Sequence, residues 1–192
     1  MPLGIKARVA MLDALQIVDA GATVTGGDAT DFHMDTAALR GTNAKSLVDL
    51  LEYSCDRITD GEPDLILASD LTVTWINSML KQTGYYKTTT DMFDREVTSW
   101  RGAPILGVGK GSDRKTSVIS DTTEGTQTGT TALYILKLGE DAVHLVEFLP
   151  YTVQPPKLLE DNVTVMASIE WAWGIANPDP TGIVKVDNLH VA

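Results

Sequence analysis

"GEPDLILASDLTVTWINSMLKQTGYYKTTTDMFDREVTSWRGAPILGVG", residues 61–109, decides how the chain is read. "DLILA" (64–68) is a short continuous apolar run after a proline turn, the pattern of a buried strand. Ser69 or Asp70 then caps a helix. Leu71, Trp75, Ile76, Met79 and Leu80 form its apolar face, and Gly84 closes it. Thr88 to Trp100 is rich in Thr, Val and aromatics and reads as extended chain. "GAPILGV" (102–108) is a strand with Pro104 near its start, where a missing N–H is tolerated. The stretch holds neither the histidines of a metal site nor a nucleophile and base at hydrolase spacing. It reads as scaffold.

Upstream, "KSLVDLLEYSCDRI" (45–58) places Leu47, Leu50, Leu51, Ser54 and Ile58 on one helix face, with Thr42 or Asn43 as its cap and "DGEP" ending it. The Gly-, Asp- and Thr-rich run "TGGDATDFHMDTAALRGTNAK" (25–45) reads as loop, and residues 1–24 form a short apolar-rich lead. Downstream, 109–130 is a long polar loop rich in Gly, Ser and Thr. "TALYILKL" (131–138) and "AVHLVEF" (142–148), separated by Gly139-Glu140-Asp141, carry a hairpin signature. "PYTVQPPKLLED" (150–161) is a connector, "NVTVMASIEWAWGIA" (162–176) a long alternating strand, and "IVKVDNL" (183–189) the last strand. Helices early and antiparallel-looking strands late argue an α+β fold.

The chain has 192 residues, 43 % of them hydrophobic and 21 % charged, the profile of an ordinary globular protein. The net charge of -11, from 26 acids against 15 bases, repels nucleic acid and anionic lipid, so sequence-specific nucleic-acid binding and a membrane role are not expected. No run approaches a membrane span, and the start has no signal-peptide architecture. Cys55 is the single cysteine, which excludes an intrachain disulfide and a C-x-x-C motif.

Candidate chemistry is thin. "GVGKGS" (107–112) lacks the Lys-Ser/Thr pair and following helix of a phosphate loop. "DATDFHMD" gathers Asp28, Asp31, His33 and Asp35, donors able to hold a divalent ion, though not at EF-hand spacing. His144 and His190 fall in strand-like segments. Cys55 sits near the apolar face of a helix, and no G-x-S-x-G elbow is present. Trp171 and Trp173 share one strand face, an arrangement that suits core or subunit packing. No catalytic residue, metal ligand or cofactor is assigned, and no enzyme emerges.

The order of segments resembles the C-terminal two-thirds of a tailed-phage major capsid protein of the Hong Kong 97 type. Four stretches carry it: "PLGIKARVAMLDALQIVDAGAT" (2–23), the 61–109 block, "ALYILKLGEDAVHLVEF" (132–148) and "VMASIEWAWGIANPDPTGIVKVDNL" (165–189). The resemblance implies a Hong Kong 97-type capsid fold. Residues 1–40 and 151–177 would be the peripheral-domain portion, and 41–150 with 178–192 the axial domain. The N-terminal arm, extended loop and spine helix of the family have no counterpart in this sequence. It further implies a structural subunit that associates with itself in pentamers and hexamers and with neighbouring capsid subunits, within a virion capsid assembled in a bacterial host's cytoplasm. On this reading 82–109 is interface, and Tyr85, Tyr86, Phe93, Arg95 and Trp100 are its candidate contacts, because exposed aromatics and Arg are the usual anchors. Three alternatives stand beside it. They are an encapsulin-like nanocompartment shell of the same fold, a metal-dependent enzyme using Asp28–Asp35, and a monomeric binding module presenting the 109–130 loop.

Overall fold

A computed structural model of the chain describes residues 17–20, 32–90, 94–122, 124, 128–155, 157–158 and 165–191. Two helices and an eight-stranded mixed sheet form its body: β1 (Ile17–Asp19), β2 (Phe32–His33), α1 (Ala37–Cys55), β3 (Leu65–Ala68), α2 (Asp70–Thr83), β4 (Lys87–Thr90), β5 (Glu96–Trp100), β6 (Ala103–Gly107), β7 (Thr130–Leu136) and, at the end, β12 (Ile183–His190). The sheet order is β1-β12-β7-β3-β6-β5-β4, with β2 also on β12. A separate antiparallel ribbon pairs β8 (His144–Val153) with β11 (Ile169–Ala176), and a short pair joins β9 (Lys157–Leu158) to β10 (Val165–Met166). The fold is α+β, as the order of elements indicates.

Strand β7 lies at the centre, antiparallel to both β12 and β3, and every residue of it is buried. Its side chains alternate between two cores, as strand geometry requires. Leu133 and Ile135 face the core shared with Leu47, Leu50 and Leu51 of α1 and Ile76, Met79 and Leu80 of α2. Ala132, Tyr134 and Leu136 face a smaller core with Ile119, Val143 and Ile183. Both helices thus cover one face of the sheet, and the segment after β6 covers part of the other.

The element boundaries follow local chemistry, with three corrections. Helix α2 has its expected caps: Ser69 Oγ accepts from Thr72 N (3.2 Å), and Gly84 stands in the left-handed region at φ 78°. Leu71 is exposed, however, one position off the buried stripe. Helix α1 begins two turns earlier than the sequence pattern indicates, with Thr36 as cap accepting from Leu39 N (3.2 Å). Asn43, expected as that cap, is inside the helix, and its Nδ2 donates to His33 O (3.0 Å). Tertiary ties override the weak helix propensity of Gly41-Thr42-Asn43.

The third correction is the hairpin. β7 and β8 do not pair, because both edges of β7 are already occupied by β12 and β3. The chain instead makes a tight turn, with Val143 N donating to Lys137 O (3.1 Å) and Gly139 N to Val143 O (3.1 Å), and enters the ribbon. The 109–130 stretch is not featureless either. Asp113 Oδ1 accepts from Lys115 N and Thr116 N at 3.0 Å each, and Lys110 bridges to Ser117. Those hydrogen bonds, with Thr116 Oγ1 first among them, hold the Asp113 carboxyl below its ordinary range.

Candidate assembly surface

Among the described residues, the ribbon carries most of the exposed large apolar side chains. Apolar residues of "HLVEFLPYTV" fall on both faces of β8, and β11 adds Ile169, Trp171 and Trp173. Phe148 is 74 % exposed, Ile169 63 %, Tyr151 62 % and Leu145 59 %. Trp171 and Trp173 lie with ring centroids 5.7 Å apart, and Trp171 Nε1 donates to Glu147 Oε1 across the ribbon (2.7 Å). The register shifts between Glu170 and Trp173 mark an irregularity that increases local twist. Single exposed apolar side chains need no explanation, but a contiguous patch of this kind marks a contact surface. A two-stranded ribbon in water is also marginal by itself.

The 82–109 stretch is not one extended run. It finishes α2, turns at Gly84 and folds as β4, β5 and β6 in antiparallel succession. Tyr85 is exposed, with its ring 6.2 Å from Trp100. Trp100 is 5 % exposed, a core residue supporting Tyr85 and not the surface anchor expected of it. Tyr86 is half-buried beneath Lys81, whose Nζ stands 4.8 Å from the ring centroid. Arg95 is exposed beside Glu96 and Val97 in a shallow cleft of about 460 Å³ against the start of α2. Phe93 lies outside the described residues. A second cleft of about 540 Å³ runs between α1 and the end of α2, lined by Gly41, Lys45, Val48, Gln82 and Tyr85.

Arg101 anchors this region from behind. Its guanidinium pairs with Glu52 and Asp56 of the α1 C-terminus and donates to Gly61 O (2.9 Å), so the β5–β6 turn is tied to the first helix. Cys55 is fully buried beside this network. Burial pushes its thiol up to about 12, which removes it as a nucleophile at neutral pH. A second charged group lies on β12, where Lys185 Nζ stands 3.7 Å from Glu124 and 3.5 Å from Asp187; burial raises the Asp187 carboxyl. These charges are paired with one another.

Of the acidic run, Asp28 and Asp31 lie outside the described residues. His33 and Asp35 are close, with Nδ1 and Oδ1 3.7 Å apart. The histidine that joins them is His190, from the last strand, which sequence spacing alone does not indicate.

No family model matches the sequence, and no curated protein does. The structure does match a solved one, the holo-SrpI encapsulin complex from Synechococcus elongatus PCC 7942. It superposes with a TM-score of 0.58 at 16 % identity, over 93 % of this chain and 55 % of that one. The chain has the Hong Kong 97-type fold. It spans about half the length of that encapsulin. The fold implied by the sequence resemblance therefore holds, while the phage assignment within it has no support from this match. No helix among the described residues is long and apolar enough to cross a membrane.

Proposed function

We propose that this chain is a structural, non-catalytic subunit of a self-assembling protein shell of the nanocompartment kind, with neighbouring copies of itself as partners. The observation that carries the reading is the β8–β11 ribbon. It projects large apolar side chains on both faces, and the fold it belongs to is that of an encapsulin. A second copy covering the ribbon removes that surface from water, at roughly 25 cal/mol per Å². The nanocompartment reading is preferred to a phage capsid because the structural match is to an encapsulin.

On this reading the main sheet with its two helices is the axial body, and the ribbon is the peripheral element. On the same reading β1 and β2, which pair with β12 in the main sheet, belong to the axial body, and the peripheral ribbon starts at His144. Tyr85 and Arg95 are the exposed candidates for a second contact within pentamers or hexamers, and Trp100 supports Tyr85 from within.

Tryptophan quenching tests the ribbon contact. Trp171 and Trp173 are exposed, whereas Trp100 is buried and Trp75 half-buried. Acrylamide should quench the ribbon pair in dilute protein and lose access to it as concentration rises. Quenching that stays constant over the range in which particles form would place the contact elsewhere.

A further inference from the structure

We propose that His33, Asp35 and His190 form a binding site for one borderline divalent cation of the zinc class. β2 runs parallel to β12, and the pairing sets His33 opposite His190, so the two imidazoles stand on the same sheet face. Their ring centroids are 4.6 Å apart. Asp35, two residues beyond His33, brings its carboxylate to the same point, and one ligand atom from each residue lies within 4.8 Å of the others. A tetrahedral ion with bonds of about 2.0–2.1 Å needs its ligand atoms roughly 3.3 Å apart. His33 Nδ1 and Asp35 Oδ1, at 3.7 Å, are already near that spacing. The three ligand atoms, within 4.8 Å of one another, would draw together by up to about 1.5 Å to reach it.

The backbone under the three ligands is held from several directions. Met34 N donates to His190 O (2.9 Å), and Asn43 Nδ2 from α1 donates to His33 O (3.0 Å). Arg40 Nη1 donates to Met34 O (2.8 Å) and Asp35 O (3.1 Å), while its guanidinium carbon lies 5.1 Å from the Trp75 ring centroid. Such outer contacts fix ligands in place before a metal arrives. Asp35 Oδ1 is itself buried and accepts no hydrogen bond among the described residues, an acceptor aimed at the His33 ring and available to a cation. The His33 side chain is 43 % exposed, while its Nδ1, like Asp35 Oδ1, is itself shielded from solvent.

Two imidazoles and one carboxylate suit Zn²⁺, Co²⁺ or Ni²⁺ and not the oxygen-seeking Ca²⁺ or Mg²⁺. Three protein ligands leave a position for water. Bound here, the ion would clip β2 to the last strand and join distant parts of the chain. The proposal does not depend on shell assembly.

The test strips the full chain with EDTA and titrates it with Zn²⁺, and in parallel with Co²⁺, at pH 7.5. One equivalent should bind, Co²⁺ should show the visible bands of low-coordinate nitrogen and oxygen ligation, and Zn²⁺ should raise Tm. His33→Ala or His190→Ala should weaken binding by at least about 100-fold, Asp35→Asn should weaken it less, and His144→Ala should leave it unchanged. Zinc protection of His33 and His190 in the wild-type chain against diethyl pyrocarbonate, mapped by peptide mass spectrometry, gives the same answer without any variant. No uptake by the wild-type chain, uptake that survives the double histidine variant, or equal modification with and without zinc would overturn the site.

Discussion

Replacing Phe148 by Ser separates the fold from the assembly. Phe148 is 74 % exposed in the single chain. With roughly 200 Å² for a phenylalanine, about 150 Å² of its surface faces solvent. At roughly 25 cal/mol per Å² its burial is worth about 4 kcal/mol as an upper figure, and about 2 kcal/mol if a neighbour covers half of it. Phe148→Ser should therefore weaken each subunit contact by about 30- to 1,000-fold in dissociation constant. Within one chain the substitution removes little packing, and unfolding stability should change by no more than about 0.5 kcal/mol. Sedimentation velocity over a concentration series reads the first quantity, and urea unfolding at dilutions below association reads the second. Ile135→Ala is the contrast: that side chain is fully buried in β7, and its loss should cost about 2–5 kcal/mol of fold stability. If Phe148→Ser associates as tightly as the wild type, or destabilises the isolated chain as Ile135→Ala does, the ribbon is not a subunit contact.

Two further expectations concern the body of the fold. Cys55, with its thiol raised to about 12 by burial, should resist a thiol reagent at pH 8 in the native state and react only as the chain unfolds, so labelling against urea should follow the unfolding transition. Rapid labelling of native protein would show that α1 opens locally. Gly84→Ala should lower stability by about 1 kcal/mol in the same urea assay, because φ of 78° is costly for a residue with a Cβ even though no neighbour stands within 4 Å; an unchanged midpoint would show that the cap rearranges at no cost.

The helix α2, its Ser69 and Gly84 boundaries, β3 and β12 were legible because each rests on a local signal: a cap, a turn residue, or a short apolar run. The first two turns of α1 were not. Gly41, Thr42 and Asn43 favour loop on propensity, and what holds them helical is tertiary, the Arg40 and Asn43 bonds back to the 33–35 carbonyls. The apparent hairpin failed for a related reason. Gly139-Glu140-Asp141 does make a turn, but which strand pairs with which depends on what already flanks β7. Trp171 and Trp173 were readable as a pair on one face, but Pro150 made 150–161 read as a connector, whereas the strand runs on from His144 to Val153. That these side chains stay exposed among the described residues is a fact of three-dimensional placement. His190 meeting His33 is likewise invisible to spacing, since the parallel pairing of β2 with β12 joins opposite parts of the sequence.

The central claim is that the chain builds shells from copies of itself. Light scattering behind a sizing column, with negative-stain images of the same peak, tests it most directly. Species of discrete multi-subunit mass are expected, seen as rings of five or six or as closed shells. A chain that elutes with the mass of a single subunit at every concentration, its ribbon tryptophans still open to quencher, would contradict it.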